Sequence, residues 1–170
     1  AEHYLRTGEP KEALTVAQNA TAALPDNMQL LDVLGRAQLA NGEHNQAQSS
    51  FNRMAALQPK SPLPYLRMSS AHLVAGDQAA AAEKLRKALE ITPNDPLVLT
   101  NLAAAESELG RFAEAEALLQ RALAVNPRFA QAHYNLGLVL GRRNAPVAAI
   151  KTHLKRAVDL GLPEPEKSNA

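Results

Sequence analysis

Glycine and proline recur along the chain at one fixed spacing, and this spacing limits the possible folds more than any other feature. Glycines that follow apolar stretches lie 34 residues apart, at Gly8, Gly42, Gly76 and Gly110. Prolines show the same interval and follow these glycines by 17 residues, at Pro25, Pro59, Pro93 and Pro127. Glycine can adopt the left-handed conformation that ends a helix, and proline cannot continue one. The pattern therefore predicts a repeated pair of helices.

The spacing also predicts where the helices lie. We expect five pairs, over 1–7 with 10–23, 28–41 with 44–57, 62–75 with 78–91, 96–109 with 112–125, and 130–143 with 146–160. Ser61 and Asp95 each precede a proline and are predicted N-caps, and Asp77 is predicted to cap the helix after Gly76. No segment alternates apolar and polar residues for long enough to indicate a strand. The predicted fold class is all-α.

Composition and charge exclude several classes of function. Eighteen basic and 17 acidic residues leave a net charge of +1, so we expect no bulk attraction to nucleic acid. The chain has no Cys, which removes disulfides and thiolate metal sites. No apolar run approaches the roughly 18–20 residues that span a bilayer, so no direct membrane insertion is expected.

Short motifs recur in phase with the 34-residue period. Tyr134-Asn135-Leu136-Gly137 is an aromatic–Asn–Leu–Gly segment, and Leu34-Gly35 repeats its last two residues. A small–bulky–Ala pattern in the second helix is met by Ala115, Leu119 and Ala122, and by Ala47 and Phe51 with Met54 in the last place. These motifs resemble those of the tetratricopeptide repeat (TPR) family. The last pair departs from the family, since its turn lacks the glycine. One extra residue near Asn144 also puts Val147, Ile150, Leu154 and Ala157 one place late.

The resemblance implies a right-handed superhelical solenoid of antiparallel helix pairs, with the first helix of each pair on the concave wall. One solenoid is expected over 1–162. It would consist of a truncated repeat, 1–27, and four repeats, 28–61, 62–95, 96–129 and 130–162, and a flexible polar tail would follow over 163–170.

The sequence contains no pattern of catalytic or metal-binding residues that predicts an enzyme or a cofactor site. No two histidines share a helix at a spacing of four, and His44, His72 and His133 are interpreted as packing residues. The acidic pairs Glu106/Glu108 and Glu114/Glu116 are two residues apart, which points their side chains in different directions, so solvent-facing positions are predicted. A basic cluster is interpreted as a solvated edge, and it comprises Arg142, Arg143, Lys151, Lys155 and Arg156.

The concave wall is therefore the predicted binding site, for a peptide or a partner protein. The resemblance assigns twelve residues to it, namely Asp32, Arg36, Leu39, Leu66, Arg67, Ser70, Thr100, Asn101, Ala104, Tyr134, Asn135 and Leu138. Asn101 and Asn135 occupy equivalent positions one repeat apart. Their amides are predicted either to bind a ligand backbone or to bond neighbouring backbone of the chain itself.

The alternative hypothesis is a structural segment of a longer solenoid. The chain opens inside a first helix and closes on a polar tail without a capping helix, so apolar ends would favour end-to-end association of copies. Segments such as Leu34–Gly42 also resemble TPR proteins of bacterial exopolysaccharide export and PEP-CTERM-type loci. That resemblance implies a bacterial scaffold that is periplasmic or attached to the outer membrane. The absence of Cys does not distinguish the periplasm from the cytoplasm, so the cytoplasm stays the alternative compartment.

The sequence predicts that this chain does not bind the acidic tails of chaperones. One subset of the family grips such tails with a Lys–Asn–Asn–Lys–Arg clamp, and here Asp32, Leu66 and Leu97 stand where lysines would be needed. Calorimetric titration with a chaperone tail peptide is expected to give no binding heat. Micromolar affinity would contradict the prediction.

Overall fold

The computed structural model describes residues 1–163, and these form helices joined by short turns. The helices are α1 (Glu2–Thr7), α2 (Pro10–Ala23), α3 (Met28–Ala40), α4 (His44–Leu57), α5 (Leu63–Val74), α6 (Gln78–Ile91), α7 (Pro96–Glu108), α8 (Phe112–Val125), α9 (Ala130–Arg142) and α10 (Val147–Asp159). Every predicted helix is present, and each end agrees to within one residue. The tail predicted over 163–170 lies outside the described residues except for Pro163. No helix in the described part has the length and apolar character needed to cross a membrane.

The turns inside the helix pairs use a left-handed residue at the predicted positions. Gly8, Gly42, Gly76 and Gly110 all have φ of 77° or 78°. In the last pair the equivalent position is Asn144, with φ of 55°. Asn is among the few non-glycine residues that tolerate this conformation, so it replaces the glycine that the sequence lacks there.

Two of the three predicted N-caps are confirmed. Asp95 accepts hydrogen bonds from the backbone N–H groups of Leu97 and Val98, and Asp77 accepts one from Ala80. The prediction for Ser61 is wrong. The N–H of Leu66 bonds the carbonyl of Pro62, so α5 begins one residue later than expected and Pro62 occupies the cap position without a side-chain bond.

The chain divides into two compact units, Ala1–Ile91 and Thr92–Ala170. In the first unit, α1 packs on α2, α3 on α4, and α5 on α6, while α2 contacts α3 and α4 contacts α5. In the second unit, α7 packs on α8 and α9 on α10, while α8 contacts α9. The single-solenoid domain expected over 1–162 stays a prediction.

First helices also contact one another within each unit. The contacts join α1 to α3 and α3 to α5 in the first unit, and α7 to α9 in the second. Comparable contacts between second helices of the same unit, such as α8 and α10, are absent from the described chain. In each unit the first helices therefore lie closer together than the second helices, and they form an inner wall.

Helices of a pair approach closely where a small residue faces a bulky one. A Cβ added at Gly35 would lie 2.6 Å from Phe51 Cζ, and one added at Gly137 would lie 2.6 Å from Leu154 Cδ2. Phe51 is fully buried, as are Leu85 and Leu119 at the equivalent positions of the next two pairs. Packing at this density leaves no room for an extra methyl group.

The structure confirms the one-residue shift in the last pair. Leu154, not His153, faces Gly137 as Phe51 faces Gly35. Ala157 is fully buried, whereas Arg156, which the unshifted period would place in the core, is exposed. The extra residue thus lies in the turn before α10 and keeps the buried face of that helix intact.

Replacing Ala115 with Trp is expected to lower the melting temperature. Ala115 is fully buried on α8, and overpacking a dense core costs roughly 1–3 kcal/mol. Ala117 is exposed on the same helix, so Ala117→Trp is the matched control and is expected to change stability little. Thermal unfolding followed by circular dichroism measures both. Equal melting temperatures for wild type and Ala115→Trp would contradict the burial of this position.

Two helical glycines are expected to respond to alanine in opposite directions. Gly35→Ala forces its new methyl group into the Phe51 ring and should destabilise by about 1–3 kcal/mol, even after the gain in helix propensity. An added Cβ at Gly141 meets nothing within 4 Å, so Gly141→Ala should stabilise by up to about 1 kcal/mol. Denaturant unfolding gives both free energies. The close helix approach would be refuted if both variants were stabilised.

Candidate functional site

The inner wall of the second unit carries a row of polar and apolar side chains at equivalent positions of α7 and α9. Asn101 and Ala104 on α7 match Asn135 and Leu138 on α9, one repeat later. Leu138 is 45% exposed, Ala104 is exposed, and both asparagines are partly exposed. These four predicted site residues are therefore accessible from one side of the unit.

The amides on this wall are only partly engaged within the chain. Gln131 Nε2 donates to Asn135 Oδ1 at 3.0 Å, which leaves the amide N–H groups of Asn135 as donors. Asn101 forms no side-chain hydrogen bond within residues 1–163. Within the described part of the chain, neither amide is hydrogen-bonded to neighbouring backbone, which is the other role predicted for these residues.

A small cavity of about 100 Å³ opens beside Asn135 and Leu138. Its lining includes Ala104, Ser107, Glu108 and Arg142, of which the last three are not among the predicted site residues. Glu108 and Arg142 are 34 residues apart and form an ion pair at 3.0 Å. Because they occupy equivalent positions of neighbouring repeats and carry opposite charges, the sequence could have predicted this ion pair.

Two other predicted residues on these helices are less available. Thr100 is fully buried, so it cannot contact a partner in this arrangement, and its hydroxyl has no hydrogen-bond partner among the residues that the structure describes. The reason is that α7 is buried around most of its circumference, including Val98 and Leu99 directly before Thr100. Tyr134 is half-buried.

In the first unit the charged residues of the inner wall are engaged with one another. Arg67 on α5 donates to both carboxylate oxygens of Asp32 on α3, with Nη2 at 3.0 Å from Oδ2. Arg36 Nη1 lies 3.6 Å from Asp32 and 3.6 Å from Glu2. Asp32 is buried, so these contacts provide the charge compensation that a buried carboxylate requires.

The remaining predicted residues of the first unit contribute little exposed polar surface. Leu39 packs against the core around Phe51, Leu66 is half-buried, and the exposed Ser70 donates its hydroxyl to the Leu66 carbonyl at 3.0 Å. A larger cavity of about 760 Å³ reaches Asp32 from α1 and α2, and Val16 and Val33 contribute to its lining.

The interpretation of Glu106 as solvent-facing is wrong. Glu106 is 2% exposed, and Arg111 Nη1 lies 2.9 Å from its carboxylate. The side chain points into the joint between α7 and α8, because the chain reverses there and brings Arg111 back over the helix. Two arginines of the basic cluster are also paired and not merely solvated, since Arg142 contacts Glu108 and Arg143 contacts Glu116.

The histidines occupy three different environments. His44 is exposed at the start of α4, so its interpretation as a packing residue is wrong. His72 Nε2 lies 3.0 Å from Gln48 Nε2. His133 Nδ1 lies 3.0 Å from His153 Nδ1, a contact that the sequence analysis did not find. Within residues 1–163, no three His, Asp or Glu side chains form a group that could hold a metal ion.

Comparison with known proteins identifies the repeat. The tetratricopeptide repeat model matches residues 1–62, 33–96 and 100–165. No curated protein matches the chain by sequence.

Solved structures of similar fold include several TPR proteins. MamA from Desulfovibrio magneticus RS-1 is 21% identical, with a TM-score of 0.75 over 94% of this chain and 89% of that one. TTC0263, a thermophilic TPR protein in Thermus thermophilus, is 20% identical, with a TM-score of 0.75 over 94% and 87%. YrrB, described as a TPR protein with an unusual peptide-binding site, is 16% identical, with a TM-score of 0.68 over 94% and 82%.

These structural similarities confirm the all-α TPR solenoid fold predicted from the sequence. At this level of sequence identity the structural similarities show the fold alone. The family model, however, matches nearly the whole chain by sequence. The chain therefore belongs to the tetratricopeptide repeat family.

Proposed function

We propose that this chain is a non-enzymatic protein–protein interaction scaffold and that the inner wall of α7 and α9 binds an extended peptide segment of its partner. Membership of the TPR family supports the scaffold role, because TPR proteins bind protein or peptide partners. The observation that carries the proposal is the pair of incompletely engaged amides, Asn101 and Asn135, at equivalent positions of two helices in contact.

The spacing of the two amides suits an extended peptide. Packed helices have axes about 8–10 Å apart, and an extended chain advances about 3.3 Å per residue. Asn101 and Asn135 would thus reach backbone groups about three residues apart. Amide side chains both donate and accept, so they can bond peptide N–H and C=O groups without selecting a sequence.

Apolar contacts would add affinity at the same wall. Leu97 on α7 is 48% exposed and Leu138 on α9 is 45% exposed, and they flank the asparagines along the helices. The small cavity beside Leu138 has room for a short side chain. An apolar surface with a few convergent hydrogen-bonding groups is the usual composition of a peptide groove. In this proposal Tyr134 borders the groove of the second unit.

The first unit would have a supporting role. Asp32, Arg36 and Arg67 compensate one another's charges, so displacing them for a ligand would leave Asp32 buried and unpaired, which is costly. We therefore expect Leu66 and Ser70, rather than the ion pairs, to contribute contacts there.

The amides can be tested by selecting a binding peptide from a library of random dodecapeptides and measuring its Kd for two variants. Asn101→Ala/Asn135→Ala removes both amides, and each net hydrogen bond is worth about 0.5–1.5 kcal/mol. The Kd is expected to increase by about tenfold to a hundredfold. Fluorescence anisotropy with the labelled peptide measures it.

The matched control is Asn19→Ala/Asn52→Ala, which removes two exposed asparagines from the second helices α2 and α4. Its Kd is expected to equal that of the wild type. The proposal would be wrong if the control lost as much affinity as the test variant, or if the test variant lost none while remaining folded.

The alternative of end-to-end assembly in a longer bacterial envelope solenoid stays a prediction. Light scattering over a concentration series tests it, because a strict monomer at all concentrations would argue against association through the ends.

A further inference from the structure

His133 on α9 and His153 on α10 meet head to head. Their Nδ1 atoms lie 3.0 Å apart and their ring centroids 5.3 Å apart. The centroid distance is close to the nitrogen–nitrogen distance plus the two distances from a ring centre to its nitrogen. Both nitrogens therefore lie nearly on the line between the ring centres, and each points at the other ring. This is the geometry of an N–H···N hydrogen bond.

A backbone carbonyl determines which ring donates. His133 Nε2 lies 3.1 Å from the carbonyl oxygen of Pro127. A carbonyl can only accept, so Nε2 of His133 carries a proton, and a neutral His133 then presents an unprotonated Nδ1. His153 must accordingly donate from its own Nδ1. The space between the two nitrogens holds one proton and not two.

This arrangement restricts how many protons the pair can bind. A first extra proton can enter at Nε2 of His153 and leave the hydrogen bond intact. The bridging proton can then lie on the Nδ1 of either ring, so the charge can lie on His133. A second extra proton would have to enter at the other Nδ1, where two N–H groups would meet head on. It would also place two positive charges on rings in contact, which disfavours the doubly charged state.

The charged surroundings do little to offset that repulsion. The pair borders an open cavity of about 440 Å³ whose other charged lining residues all lie on α10, namely Lys155, Arg156 and Asp159.

On the helices packed against α9, the acidic groups Glu106, Glu108 and Glu116 each have an arginine partner. Of the other charged residues there, Arg121 on α8 donates to the Pro93 carbonyl, Glu114 is exposed in the first turn of α8, and Arg128 is exposed before α9.

We infer that the His133–His153 pair is a pH-sensitive link between α9 and α10. It joins the two helices while it carries at most one extra proton, and it weakens when both rings are charged. The inference is independent of the peptide groove, because it concerns the joint within the last helix pair.

The sign of the pH dependence follows from His153. Burial, and then the charge on His133, lower the pKa of His153 below its usual value of 6.5. The folded state thus binds fewer protons than the unfolded state near that pH. The contribution of the pair to stability is fully present above pH 6.5, and it is lost as the pH falls through the lower pKa of the folded state.

Denaturant unfolding between pH 8 and pH 5.5 tests the link with His153→Phe, which keeps a planar ring and removes the titration. The folding equilibrium constant of the wild type is expected to decrease toward pH 5.5, by about tenfold for each unit of pKa difference between the folded and unfolded states. The variant is expected to show a smaller decrease.

The titration of Glu83 does not interfere with this measurement. A hydrogen bond from Lys84 is the first cause that lowers the pKa of Glu83 below its usual 4.5, which is outside the range from pH 8 to pH 5.5.

The matched control is His44→Phe, because His44 is exposed at the start of α4 and lies outside the last helix pair. It is expected to retain the pH dependence of the wild type. If His153→Phe retains it as well, the inference is overturned. His133→Gln serves as the second variant should His153→Phe fail to fold.

Nuclear magnetic resonance measures the pKa of each imidazole, which would not depend on the other ring if the two histidines only packed together. In wild type the imidazole of His153 is expected to titrate below 6.5, and in His133→Phe its pKa should rise, although burial keeps it below 6.5. Amide protection in α10 should also decrease at pH 5.5 relative to α8. An unchanged His153 pKa in His133→Phe, or equal protection in α8 and α10 at both pH values, would overturn the inference.

Discussion

The close approach of two helices within each repeat is the constraint on which the rest of the structure depends. It requires a small residue on the first helix opposite a bulky one on the second, as in Gly35 with Phe51 and Gly137 with Leu154. The bulky side chain then buries itself against the partner helix backbone and fills the space that a side chain on the first helix would occupy. Buried alanines at the same phase of the first four pairs, namely Ala13, Ala47, Ala81 and Ala115, allow the contact to extend along the helices.

Small contact residues mean that each pair by itself buries little apolar surface. An alanine methyl contributes on the order of 0.8 kcal/mol, so a single pair cannot offset the conformational entropy of ordering about 34 residues. Contacts with the next pair complete the core, which is why stability in such repeats is a sum over neighbours. The inner wall is a by-product of this packing, because first helices of neighbouring pairs must touch for the core to close.

Ion pairs add specificity to the joints between neighbouring repeats. Asp32 with Arg67 and Glu108 with Arg142 each connect first helices of adjacent pairs, and Glu116 with Arg143 joins α8 to the turn after α9. The exposed pairs among them contribute about 0–1 kcal/mol, whereas the buried Asp32 would destabilise the joint if it lost its partner. These ion pairs engage charged groups of the inner wall, and we propose the amides and leucines of α7 and α9 as the groups that bind a partner.

Part of the inner wall could be predicted from the repeat alone. Equivalence at 34 residues identified Asn101 with Asn135 and Ala104 with Leu138, and the structure has these residues accessible. The same rule misplaced Thr100, because a helix that contacts neighbours on several sides buries positions that an amphipathic pattern would assign to the surface. It also missed the burial of Glu106, whose partner Arg111 reaches it only after the turn.

By itself, the sequence determined the period, the helix ends and the family of this protein. Those features depend on local rules, since a left-handed glycine, a proline ring or an aspartate cap acts on the residues next to it, and even Asn144 could take the place of a glycine in its own turn. The tertiary structure alone decided which side chains meet across helices, as in Asp32 with Arg67 and His133 with His153. These partners lie 35 and 20 residues apart, and whether they meet depends on the relative rotation of two packed helices, which no local pattern specifies.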